Sequence, residues 1–180
     1  MESANPMTPS TRSRTEKTAL LALFSALALA VGAVESWFPL PFPGVRLGLA
    51  NVFPLLSLLL FGPGEAVAVA LVRLCLAFLL AGNPFALACS AGGLSFSLPL
   101  SILLYKKYRD ELSVPAISVA SAAAFNAGQM GVVVILTSEP SVLTYLPVIM
   151  TVGCVTGFIV GCLADELLRR IESAVVRRFP

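Results

Sequence analysis

From Thr18 to Leu168 the chain is a succession of long apolar runs, and almost every charge lies in the short gaps between them. That pattern limits the fold more than any other feature. A helical run of roughly 20 apolar residues matches the ~30 Å hydrocarbon core of a bilayer. Inside lipid the backbone N–H and C=O groups find no water, so a spanning segment satisfies them internally, as an α-helix. Only 12% of the 180 residues are charged, against 57% hydrophobic. A soluble domain carries about a quarter charged residues, so lipid must solvate much of this surface. The expected fold is all-α: a polytopic membrane bundle of about six transmembrane helices.

The gaps set the segmentation. Residues 1–17 read as a disordered cytoplasmic N-terminal segment, 18–168 as the transmembrane domain, and 169–180 as a basic cytoplasmic tail lying along the membrane surface. The first run, Thr18 to Val34, follows Arg12, Arg14 and Lys17 as a signal peptide would, but no hydrophilic domain follows, so it reads as a retained span. Span two runs from Leu47 to Phe61 and turns back at Gly62-Pro63-Gly64. Glu65 opens span three, where a carboxylate suits the helix dipole. Gly82-Asn83-Pro84 is a stop-and-restart signal: Gly past a helix end, Asn as N-cap, Pro at the first helical position. Span four then reaches Tyr105, span five covers Val114 to Thr137 with Ser113 as N-cap, and span six runs from Val142 to Leu168.

With six spans, the N-terminus, the 62–64 turn, the 106–111 loop and the C-terminus share one side. That side holds Arg12, Arg14, Lys17, Lys106, Lys107, Arg109, Arg169, Arg170, Arg177 and Arg178, ten of the twelve basic residues. Arg46 alone falls opposite, and Arg73 lies within a span. The positive-inside rule therefore predicts that both ends are cytoplasmic.

Arg73 is the most informative single residue. It stands mid-span, where a guanidinium costs at least about 2.5–3.5 kcal/mol on insertion scales. Either it faces a substrate or it is half of a structural ion pair. A second, uncharged set comprises Asn126 and Gln129, three apart on one helix face, Asn51 ahead of Pro54, and Ser95 in Ser90-Ala91-Gly92-Gly93-Leu94-Ser95. Buried amides serve interhelical hydrogen bonds or line a cavity; with Arg73 they suggest a polar pocket for a small solute. Ala22, Ala26 and Ala30, and Gly153, Gly157 and Gly161, form small-residue stripes that admit a close helix. The glycine stripe reads as packing within the bundle, the alanine stripe as a possible partner-docking face.

Other chemistry is not encoded. The chain has no histidine, and Cys75, Cys89, Cys154 and Cys162 sit singly in apolar runs as packing residues. No metal site, catalytic residue, cofactor or nucleic-acid partner is expected. There is no G-x-x-x-x-G-K-[ST] phosphate loop to drive transport by ATP hydrolysis. The two aspartates, Asp110 and Asp165, fall outside any acidic cluster of the kind that holds magnesium against a diphosphate.

Glu35, Pro39, Pro43-Gly44, Leu47-Gly48-Leu49-Ala50-Asn51, Arg73, Gly82, Ser90-x-Gly92-Gly93-x-Ser95, Asn126-x-Gly128-Gln129, Tyr145-Leu146-Pro147 and Gly153-x-x-x-Gly157 together resemble the bacterial heptaprenyl diphosphate synthase component I family, also grouped among the Gx transporters. The resemblance covers residues 17–170. It departs at Phe125, where the family commonly has histidine. The transporter grouping implies similarity to the substrate-binding subunits of energy-coupling factor transporters, six-helix proteins of the bacterial cytoplasmic membrane. By that resemblance Ala22, Ala26 and Ala30 would dock on a transmembrane coupling subunit that works with ATPases. The family name implies instead a membrane partner of a soluble prenyltransferase subunit in menaquinone and isoprenoid synthesis. The expected function is substrate capture for a transporter of a small anionic solute, without catalysis by this chain; the alternative is the prenyl-synthase component.

Overall fold

A computed structural model describes residues 9–35, 48–108 and 111–176. Among the described residues six α-helices follow one another: α1 (Pro9–Glu35), α2 (Val52–Leu60), α3 (Pro63–Ala81), α4 (Pro84–Tyr108), α5 (Val114–Thr137) and α6 (Leu146–Val176). Five of these segments are long and apolar enough to cross a membrane, and a shorter apolar segment, Leu49–Leu60, joins them. Exposed Leu79, Leu80 and Ile135 make up part of an apolar outer surface. The protein is thus a multi-pass, all-helical membrane bundle.

Local chemistry sets the boundaries. Gly82 takes the left-handed conformation (φ 59°) that ends α3. Asn83 Oδ1 then accepts the Ala86 N–H at 3.1 Å, and Pro84 opens α4. Ser113 caps α5 by accepting from the Ala116 N–H. Glu65 in the first turn of α3 pairs with Lys17 of α1, whose ammonium also lies 5.7 Å from the Phe61 ring centroid. Phe24 packs on Phe53 and Phe61 just above, so α1 is fastened to the α2–α3 turn.

Successive helices run antiparallel. Gly92 and Gly128 bring the α4 and α5 backbones together: a Cβ on Gly128 would stand 2.5 Å from the Gly92 carbonyl oxygen. Cβ atoms on Gly157 and Gly161 would likewise meet Ala122 and Pro115, so the glycine stripe of α6 packs within the bundle, against α5. The start of α1, the α2–α3 turn, the α4–α5 connection and the end of α6 therefore lie at one end, called proximal below. It carries Lys17, Lys106, Lys107, Arg169 and Arg170.

Several boundaries differ from the sequence reading. Helix α1 begins at Pro9 rather than Thr18, because the polar stretch before the span continues the same helix. Helix α6 likewise continues to Val176, with Arg169–Asp165 and Arg170–Glu166 pairs four residues apart supporting its polar end. The segment expected as a full span over 47–61 is instead a 3-10 turn, Leu49–Asn51, followed by nine-residue α2. Span six opens with a second 3-10 segment, Pro140–Tyr145. Trp37, the prolines at 39, 41 and 43, Arg46, Arg109, Arg177 and Arg178 lie outside the described residues.

Candidate functional site

The L-G-L-A-N segment has a geometric purpose. Gly48 adopts φ 88°, a conformation that L side chains rarely take, and this turns the chain into the 3-10 segment. Ala50, fully buried, packs the turn against the bundle. Asn51 ends it, and its Oδ1 accepts a hydrogen bond from Arg73 Nη1 at 2.8 Å. Glu35, at the end of α1, accepts the Leu49 N–H. The turn is thus held from α1 and from α3 at once, and the one charged side chain in the middle of α3 is brought to it. Arg73 is 6% exposed.

Arg73 lines a cavity of about 240 Å³ between α1 and α3, walled by Ala28, Leu29, Gly32, Ala77 and Leu80 among others. Asn51 lines a second, smaller cavity of about 40 Å³ on the proximal side, with Ser97 and Ser101 of α4 and Ser118 and Ser121 of α5. A cavity of that size accommodates about one or two waters between its hydroxyls. The Arg73–Asn51 bond joins the residues that line the two. The serine set was not singled out in the sequence, although Ser97/Ser101 and Ser118/Ser121 have the i, i+4 and i, i+3 spacing of one helix face.

The other expected site residues separate. Asn126 is buried and donates through Nδ2 to the Ile149 carbonyl at 3.1 Å, tying α5 to α6. Ser95 is exposed; its hydroxyl donates to the Ala91 carbonyl, and it lines an apolar groove with Val67, Leu71 and Pro99. Neither borders the Arg73 cavity, because an amide on one helix face and a serine on another turn toward different neighbours. Gln129 is 1% exposed, and neither its Nε2 nor its Oε1 has a hydrogen-bond partner among the described residues. The Ser90 hydroxyl, 8% exposed, is in the same condition. Phe125 packs its ring against Gly93, Ala70 and Leu94, so it is a core residue. Ala22, Ala26 and Ala30 all face outward from α1 and remain open to a partner. Among the described residues no three His, Cys, Asp or Glu side chains gather as a metal site would require.

The model of the family described as heptaprenyl diphosphate synthase component I matches residues 24–167. A solved structure described as the S component of a bacterial ECF transporter matches with a TM-score of 0.60 at 21% identity, over 90% of this chain and 98% of the other. That likeness shows a shared fold. No curated protein sequence matches the chain.

Proposed function

Given that the chain belongs to the heptaprenyl diphosphate synthase component I family and has the fold of an ECF S component, we propose that it captures a small anionic solute for an energy-coupling-factor-type transporter. One observation carries the reading: a buried guanidinium, Arg73, borders a half-open cavity of about 240 Å³ between α1 and α3 of a membrane bundle. Drug-sized pockets measure about 300–1,000 Å³, so this one suits a small metabolite. Its walls are mainly alanine, leucine and glycine, which leaves the charge of Arg73 to select an acid. Asn51 fixes the guanidinium by accepting one of its N–H groups, which holds it at the border of this cavity.

The basic proximal end faces the cytoplasm in this reading, by the positive-inside rule, so the chain sits in a bacterial cytoplasmic membrane with both ends inside. The outward alanines of α1 offer a smooth face to a transmembrane coupling subunit, which works with ATPases that this chain does not contain. The family's description favours a second reading, a membrane component that supports a soluble prenyltransferase. Purification from native membranes separates the two: coupling ATPases accompany the tagged chain in the first reading, a soluble prenyltransferase subunit in the second.

A further inference from the structure

Gln129 is a primary amide sealed in the bundle with both of its polar ends unsatisfied among the described residues. Leaving a buried donor or acceptor unmade costs about 1–3 kcal/mol each, and at membrane depth bulk water is not at hand to relieve it. Such a group in a native protein calls for a partner that the described residues do not supply.

Its direction follows from the helix. Gln129 lies eleven residues beyond Ser118, about three turns, so the two share a face of α5 to within roughly 20°. Ser118 lines the inner cavity beside Asn51, so Gln129 looks into the same bundle interior, three turns nearer the distal end. Ser90 stands there too. The α4 and α5 backbones touch at Gly92 and Gly128; Ser90 is two residues distal of that contact on α4, Gln129 one residue distal on α5. Arg73 is eight residues from the distal end of α3 and Gln129 eight from that of α5, about 12 Å in each case. Three polar groups thus occupy one layer: a cation, and an amide and a hydroxyl without partners among the described residues.

The geometry points to a second subsite at this level, in which Gln129, assisted by Ser90, reads an adjacent C=O and N–H on the solute, as presented by a cyclic amide or ureide. Nε2 donates to the solute carbonyl while Oε1 accepts the neighbouring N–H, which satisfies both ends of the amide in one planar pair. The Ser90 hydroxyl donates or accepts at the flank. This rests on the proposal that Arg73 holds an acid. The solute class becomes a small carboxylate that carries a lactam or ureide ring.

The test titrates the purified full-length protein in detergent with two matched pairs: orotate against benzoate, and pyroglutamate against cyclopentanecarboxylate. The first acid of each pair carries the ring C=O/N–H edge and the second lacks it. The wild type is expected to prefer the first member by about tenfold or more, since a site built to hydrogen-bond a group rejects an analogue without it. Gln129→Leu abolishes the preference and leaves the weaker acid's affinity unchanged; Ser90→Ala reduces it. Arg73→Ala weakens all four acids alike. Equal affinities within each pair, or a preference that survives Gln129→Leu, overturn the subsite and leave the Arg73 reading standing. A Gln129→Leu protein that melts higher and binds all four acids as before also overturns it, since the amide is then only a structural burden bridged by water. If none of the four acids binds, both readings fall.

Discussion

Gly153 of α6 leaves the space that Asn126 of α5 occupies: a Cβ on Gly153 would stand 1.8 Å from Asn126 Nδ2. The amide can then reach the Ile149 carbonyl one turn away, so a missing side chain on one helix permits a hydrogen bond from the other. In a bilayer such close contacts replace the hydrophobic effect as the force between helices.

Gly153→Ala therefore displaces Asn126 and orphans its amide. The combined overpacking and lost hydrogen bond should cost about 2–4 kcal/mol, seen as a lower melting temperature in detergent. Adding Asn126→Ala should recover part of the loss, because the two residues share one contact. Strictly additive melting shifts would show that they do not.

Asn51→Ala should lower stability by about 1.5–3 kcal/mol, the range for a hydrogen bond to a charged group. Asn51→Asp separates stability from binding. It should keep the melting temperature near wild type by accepting the same hydrogen bond from Arg73, while the added negative charge weakens binding of an acidic solute. Unchanged acid binding in Asn51→Asp would count against a shared Arg73–Asn51 headgroup site.

The Lys17–Glu65 pair is partly open to solvent, with side-chain exposures of 42% and 26%. Lys17→Ala should cost no more than about 1 kcal/mol, and high salt should erase most of that difference. A much larger loss would mean that the lysine's packing over Phe61 matters more than its charge.

Orientation is open to a labelling experiment. In a background with Cys75, Cys89, Cys154 and Cys162 replaced by alanine, Glu139→Cys in the distal α5–α6 connection should react with an impermeant maleimide in intact cells. Glu111→Cys, in the proximal α4–α5 connection, should react only in inverted vesicles. The opposite pattern would reverse the assigned orientation.

Much of the fold is legible in the sequence because the signals are local. Gly82-Asn83-Pro84 states a helix end, a cap and a restart within three residues, and Ser113 caps α5 where its sequence places it. The 3-10 turn before α2 is less legible: it depends on Gly48 taking a positive φ so that Asn51 can meet Arg73, which lies 22 residues on. The candidate site divides in the same way. The guanidinium within span three marked itself by its cost. The amides did not reveal which neighbour each would face, so Asn126 and Gln129, three apart on one helix, have different fates: one spent on α6, the other without a partner among the described residues.

Docking is a separate claim. Enlarging Ala22, Ala26 and Ala30 to leucine should leave insertion and melting temperature near wild type, since all three face outward, while coupling subunits no longer copurify. Retained copurification would move the interface off α1.

The central claim is that Arg73 holds an acidic solute. The most direct measurement compares small molecules released on denaturation from wild-type, Arg73→Lys and Arg73→Ala proteins, each purified in mild detergent from the native host and analysed by mass spectrometry. The account predicts one acidic metabolite at near-stoichiometric amount in the wild type, less in Arg73→Lys and none in Arg73→Ala. The same acid at the same amount in all three folded proteins would contradict it, as would a folded wild type that releases no acid.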